Sequence, residues 1–256
     1  MIINNEEERE GIRTSGKHLG EILDLLRDYV TPGVSTQTLE DRAREMMATR
    51  ECKPAFLNYT PRGAKRAYPA ALCVSVNDEI VHGIPNENAK ILQDGDVVTL
   101  DAGLSWNGFF TDSAITVPVG TVDPEVLRMI ACTEEALEAG IFEARAGNRL
   151  GDIGYAVEAV AKKYKLHFPK ELGGHGVGRA VHEEPFIYNY GRQGQGEKIE
   201  EGMVLAIEPM FMLGSPRLKL LRDGYTYVTV DGKKSAHQEH TVIVTNGDPE
   251  VVTRAS

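Results

Sequence analysis

Apolar residues at Ile12, Leu19, Ile22, Leu23 and Leu26 recur at three- and four-residue spacing, which predicts a helix over residues 5 to 29 that stops before Thr31-Pro32-Gly33. A second helix is expected next, capped by Thr36 or Thr38, with Leu39, Ala43, Met46 and Met47 turned inward. Residues 72 to 117 read as strands, with turns at Asn77-Asp78, Pro85-Asn86 and Asn107-Gly108. The order then repeats, with helices over about 123 to 143 and 151 to 164 and strands from about 166 to the end. Thr31 to Thr36 and Arg145 to Leu150 occupy equivalent places between helices. Helices outside and a curved antiparallel sheet inside make an α+β fold. The pattern predicts one domain over residues 1–256, built of two pseudo-symmetric halves, about 1–120 and 121–256.

The duplication extends to chemistry. Asp94-Gly95-Asp96-Val97-Val98-Thr99-Leu100-Asp101 aligns without a gap on Glu201-Gly202-Met203-Val204-Leu205-Ala206-Ile207-Glu208, an acidic residue and Gly followed by an apolar strand that ends in a carboxylate. Each half adds a second carboxylate at the head of another apolar strand, Asp112 in the first and Glu239 in the second. A repeated unit usually packs against its copy, and carboxylates gathered at the junction repel unless cations lie between them. The expectation is a metal site on a pseudo-twofold axis. If Asn107-Gly108 is a two-residue hairpin turn, Trp106 pairs with Phe109 and Asp101 with Ala114, so Asp112 becomes the diagonal neighbour of Asp101 on the same face. Such diagonal Cα atoms lie roughly 7 to 8 Å apart, a gap that two inward-leaning carboxylates close around one or two cations.

His175 stands in Gly173-Gly174-His175-Gly176-Val177-Gly178, where the glycines let backbone approach a ligand closely, and it reads as a metal ligand on a strained strand. One imidazole among carboxylates suits divalent Mn, Fe, Co or Zn better than calcium. His182 and His82, each in a Gly- or Pro-bounded turn, remain for proton or substrate contacts.

These motifs together resemble the type I methionine aminopeptidases, metallopeptidases of the pita-bread fold. His82 in His-Gly-Ile-Pro, Asp101 in Leu-Asp-Ala-Gly, Asp112 in Thr-Asp-Ser-Ala, His175 and His182 in Gly-His-Gly-Val-Gly-Arg-Ala-Val-His-Glu-Glu-Pro, Glu208 in Ile-Glu-Pro and Glu239 in Gln-Glu-His-Thr follow the family order. The resemblance implies removal of the initiator methionine from nascent proteins and peptides by hydroxide held between two divalent ions. It implies that Asp112 and Glu239 bridge the ions, that Asp101 completes one site, and that His175 with Glu208 completes the other. Glu208 then shuttles the proton, His182 meets the substrate carbonyl and His82 holds the amide nitrogen. The family's methionine pocket matches Phe56, Tyr59, Tyr68, Cys73 and Tyr225 here, a sulfur and aromatic lining that suits a flexible thioether. Val181 stands where many relatives carry Phe, which implies a wider pocket, and Tyr225 where many carry Trp. A basic loop, Thr60 to Arg66, is added near the entrance.

Composition narrows the setting. A net charge of -10 argues against nucleic acid or an acidic membrane as an obligate partner. Cys52, Cys73 and Cys132 are odd in number and widely spaced, so no disulfide framework and a reducing compartment are expected. The start lacks a signal peptide and no apolar run approaches a membrane span, so a cytoplasmic protein is expected. The resemblance implies methionyl N-termini of nascent chains and the ribosome near its exit tunnel as partners, and with no long exposed apolar helix face to cover, a monomer is expected. Rival readings are a proline-specific aminopeptidase or dipeptidase on the same fold and a metal-free binding protein. The first usually carries an extra N-terminal domain, and the second would have lost ligands that are present here.

Overall fold

A computed structural model describes residues 1–61 and 63–254. Among them, α1 (Glu6–Arg27) begins at Asn5, whose side chain accepts from the Glu8 N–H, and all five apolar residues of its predicted stripe are buried. In α2 (Thr36–Thr49) the cap is Ser35, whose hydroxyl accepts from the Thr38 N–H, rather than Thr36 or Thr38. The Thr36 hydroxyl instead donates to the Pro85 carbonyl and is buried there. Three hydroxyl residues in four positions leave the cap ambiguous in sequence, and the partner that settles it lies 49 residues away.

The first strands are β1 (Lys53–Pro54), β2 (Cys73–Val76), β3 (Glu79–Val81), β4 (Val97–Trp106) and β5 (Phe109–Pro118). Then come α3 (Pro124–Glu143), α4 (Leu150–Tyr164), β6 (Gly173–Gly176), β7 (Glu183–Tyr188), β8 (Val204–Ile207) and β9 (Met210–Met212). The chain closes with β10 (Leu218–Leu220), β11 (Tyr227–Thr229), β12 (Ser235–His237), β13 (His240–Ile243) and β14 (Glu250–Val251). All named strand pairs are antiparallel, distributed over four hydrogen-bonded groups, the largest with the order β14-β13-β8-β6-β7.

Each helix pair covers a different group of strands. Leu19, Ile22, Leu26, Leu39 and Met47 pack on Leu100, Ala102 and Leu104 of β4, while Met129, Ala136 and Val157 of α3 and α4 pack on Phe211 and Ala236. Gly95 and Gly202, at matching places in the aligned segments, both take the left-handed conformation, with φ of 91° and 82°. β5 and the segment before β13 meet along a seam of reciprocal backbone bonds in which Glu239 N–H donates to Ala114 O at 2.9 Å and Ala114 N–H to Glu239 O at 3.3 Å. Thr241 Oγ1 reinforces it, donating to Asp112 O at 2.7 Å and accepting from the Asp112 N–H at 3.0 Å.

Candidate metal centre

The β4–β5 hairpin turns at Asn107-Gly108 with φ of 49° and 85°, both left-handed as a two-residue primed turn requires. Its register pairs Trp106 with Phe109, Asp101 with Ala114 and Gly103 with Asp112, so Asp101 and Asp112 stand diagonally on one face. In the second half, β8 pairs with β13 so that His240 faces Ile207, which brings Glu208, just after β8, beside Glu239, just before β13. The Ala114–Glu239 bridge then carries one pair onto the other. The four carboxylates are buried at the seam, none more than 9% exposed.

His175 enters from β6, between Ala206 of β8 and Phe186 of β7. The neighbouring glycines allow close packing between strands. A Cβ on Gly174 would lie 2.3 Å from Ala206 O, and one on Gly176 would lie 2.3 Å from Glu184 O. Nδ1 of His175 lies 2.9 Å from Gly176 O, which fixes the proton on Nδ1 and leaves the Nε2 lone pair facing the carboxylates. Nε2 is 3.6 Å from Glu208 Oε1 and 3.9 Å from Asp112 Oδ2. These are the separations of groups arranged around an ion rather than bonded to each other.

The electrostatics ask for cations. Burial raises the pKa of Asp101 to about 7 and those of Asp112, Glu208 and Glu239 well above the usual carboxylate range, and for Asp101, Asp112 and Glu239 neighbouring carboxylates add to the rise. Asp101 Oδ1 is buried with no hydrogen-bond partner. Ligand atoms of Asp101, Asp112 and Glu239 lie within 4.8 Å of one another, as do those of His175, Glu208 and Glu239. An orphaned carboxylate oxygen, an oriented imidazole and two donor groups that overlap at Glu239 fit divalent metal ions.

A cavity of about 670 Å³ opens above this floor. All five expected donors line it, together with His82, His182, Phe56, Tyr59, Tyr68, Cys73 and Tyr225. Phe56, Tyr68, Cys73, Val181 and Tyr225 form a buried apolar cluster. Val181 packs within that cluster, behind the residues that line the cavity. Burial raises the Cys73 thiol well above its usual range, so it stays neutral. His182 sits at the rim with its ring 4.5 Å from that of His175 and 5.2 Å from that of Tyr59. Its loop is held by Glu183, whose carboxylate accepts from the Arg179 and Ala180 N–H groups and pairs with the Met1 ammonium at 2.8 Å. His82 has φ of 59°, strained for a residue with a Cβ, which is common where a site fixes a side chain. Enclosure, with His182 and His237 nearby, lowers its pKa to about 4.

In the basic loop, Arg62 lies outside the described residues. Pro61 lines the cavity, and Arg66 is bound by Glu87 through two bonds of 2.7 and 2.8 Å, which removes it from the free charge of that loop. The Tyr225 hydroxyl donates to Arg66 O, tying the pocket wall to the loop.

Sequence reasoning missed His237. It is 1% exposed, lines the same cavity, and has both ring nitrogens buried without a hydrogen-bond partner. The available signal was its position two residues before Glu239, the spacing that returns a side chain to the same face of an extended chain.

A model of the metallopeptidase family M24 matches residues 10–246. The methionine aminopeptidase of Clostridium perfringens is 42% identical over 253 residues, 99% of this chain and 98% of that one. That of Aquifex aeolicus is 42% identical over 251 residues, 97% of each. Among solved structures, the methionine aminopeptidase of Thermotoga maritima superposes with a TM-score of 0.94 at 37% identity, covering 99% of this chain and 100% of that one. The prolidase from Pyrococcus furiosus superposes with a TM-score of 0.75 at 20% identity, with all of this chain covering 66% of it, a likeness of fold.

Proposed function

The chain belongs to metallopeptidase family M24, and from that premise we propose that it is a metal-dependent aminopeptidase that removes methionine from the N-termini of proteins and peptides. The observation that carries this reading is the convergence of five metal donors on the floor of a cavity walled by Phe56, Tyr68, Cys73 and Tyr225. Relatives named methionine aminopeptidase, aligned over nearly the whole chain, support the same substrate class.

Divalent ions bind here. We assign two of them, drawn from Mn, Fe, Co and Zn, with Asp112 and Glu239 shared, Asp101 completing one ligand set, and His175 with Glu208 completing the other. When bound, the ions supply Lewis acidity, which polarises the scissile carbonyl and acidifies water. Glu208 takes the proton of the attacking water and passes it to the leaving amine. His182, at the rim, donates to the oxygen on which charge develops, and partial desolvation of its ring lowers its pKa, which favours the neutral form. His82, with a pKa of about 4, is also neutral at pH 7 and accepts from the N–H of the bond being cut. The wall of Phe56, Tyr59, Tyr68, Cys73 and Tyr225 holds the methionine side chain, with sulfur and ring edges meeting the thioether.

The whole chain acts as one catalytic domain whose halves, about 1–120 and 121–256, share the metal seam. It works as a monomer in the cytoplasm on nascent chains near the ribosomal exit tunnel. The three free, buried thiols Cys52, Cys73 and Cys132 support a reducing compartment. Among the described residues no helix is long and apolar enough to cross a membrane.

The test is release of the first residue from Met-Ala-Ser, acetyl-Met-Ala-Ser and Ala-Pro-Ala by protein stripped of metal and reloaded with each ion in turn. Metal-dependent release from Met-Ala-Ser alone is expected. Cleavage of Ala-Pro-Ala in its place would move the chain to the proline-directed side of the family, and no cleavage with any ion would refute the enzyme reading.

A further inference from the structure

We propose that His237 is a positioning residue for Glu208, its Nε2–H donating to the carboxylate oxygen that His175 does not face. This rests on the role given to Glu208 above. The Glu208 carboxylate stands between two imidazoles, with Oε1 3.6 Å from His175 Nε2 and Oε2 3.4 Å from His237 Nε2. The two rings differ in how they are held. His175 has its Nδ1 on the Gly176 carbonyl, which presents a bare Nε2 to the metal space. Neither nitrogen of His237 has a partner, although the residue is 1% exposed and lines the cavity.

A buried neutral imidazole must place its one N–H somewhere, and orphaned buried N–H groups are rare in folded proteins. Glu208 Oε2 is the nearer carboxylate oxygen, with Glu239 Oε2 at 3.9 Å. A shift of a few tenths of an ångström brings Nε2–H and Oε2 into hydrogen-bond range. The backbone holds the ring in place, because β12 pairs His237 with Met210 and the His237 N–H and carbonyl both bond the Thr116 hydroxyl, at 2.9 and 2.7 Å. Glu208 is tethered from its other side, where Asn189 Nδ2 donates to its carbonyl at 3.0 Å. With both backbones fixed, the hydrogen bond sets the rotation of the Glu208 carboxylate and the direction in which it exchanges a proton with substrate.

The experiment compares wild-type protein with His237→Ala and His237→Gln, all metal-loaded, for kcat and KM on Met-Ala-Ser, and measures Mn affinity of each stripped protein by calorimetry. Thermal unfolding checks that each variant folds. Removing the donor is expected to lower kcat by about 10- to 100-fold, the usual cost of losing a group that orients a ligand, with KM changed less than about 2-fold because methionine and its amine are held elsewhere. Glutamine, which keeps an N–H donor of similar reach, is expected to recover most of kcat, and Mn affinity is expected to move by less than about 10-fold in both variants. Unchanged kcat in His237→Ala, or equal losses in the two variants, would overturn the proposal. Loss of one metal equivalent that glutamine does not restore would overturn it in favour of a direct ligand. An inactive wild type would instead refute the assigned function, and the Mn titration remains readable in that case.

Discussion

Glu40 offers a quantitative test of how the pocket wall is held. It is fully buried on α2, and its carboxylate accepts from the Ala71 N–H at 2.8 Å and the Leu72 N–H at 2.9 Å, with Arg44 Nε as a third donor. Those two amides lie between Tyr68 and Cys73, both lining residues, and Cys73 in turn pairs with Asp101 across β2 and β4. Glu40→Ala leaves Ala71 and Leu72, both 0% exposed, with donors that neither water nor protein satisfies. At about 1 to 3 kcal/mol for each unsatisfied buried group, the loss is about 4 kcal/mol. Arg44 is 40% exposed and turns to water, so it adds little. For a chain of this size that corresponds to a fall of about 12 °C in Tm. Glu40→Gln keeps one acceptor oxygen and should lose about half as much. Urea and thermal unfolding of the metal-loaded proteins read the stability, and KM for Met-Ala-Ser should rise several-fold in Glu40→Ala as the wall between Tyr68 and Cys73 loosens. A loss below about 1 kcal/mol would refute the reasoning, since it would mean that other groups satisfy those amides.

Three further outcomes follow from the same structure. Glu208→Gln should cut kcat on Met-Ala-Ser by on the order of 10³-fold while unfolding stays within a few degrees of wild type, and substantial residual turnover would remove Glu208 from the proton path. Burial, with Arg254 adding to it, lowers the His240 pKa from 6.5 to about 4. A histidine with a depressed pKa contributes stability that is present above about pH 6.5 and is lost as pH falls towards 4. His240→Gln should therefore lose roughly 2 kcal/mol less than wild type between pH 7 and pH 5, and equal losses in the two proteins by urea unfolding would contradict the assignment. Glu183→Gln weakens the pairing with the Met1 ammonium and the Arg179 and Ala180 amides that fix the His182 loop, so kcat should fall about tenfold, and an unchanged kcat would show that the loop is set by other contacts.

Much of the site was legible because periodicity carries geometry. Asn107-Gly108 fixed the hairpin register, and that register alone put Asp101 and Asp112 on one face. The aligned Asp94–Asp101 and Glu201–Glu208 segments made the second carboxylate pair visible for the same reason. Glu40 was hidden because a carboxylate next to Leu39 on an amphipathic helix reads as solvent-facing, and only the distant amides of residues 71 and 72 explain its burial. His237 was missed because its one signal, the two-residue spacing to Glu239, spans the break between β12, which ends at His237, and β13, which begins at His240, where strand alternation is a weak guide. The glycines around His175 were seen, but their close approach to neighbouring strand carbonyls was not, since it leaves the same mark in sequence as close approach to a ligand. Phe56 and Tyr59 lie in an irregular stretch without any period, and their place in the wall came from the family likeness rather than from pattern.

The most direct test of the central claim is a titration of Mn into metal-stripped protein with methionine release from Met-Ala-Ser and binding heat recorded together. Release should be absent at the start, rise with added metal, reach its plateau by two equivalents, and fail in His175→Ala and Asp112→Ala. Methionine release that persists in the fully stripped protein, or that continues unchanged in both variants, would contradict the assignment of the chemistry to this cluster of carboxylates and imidazole.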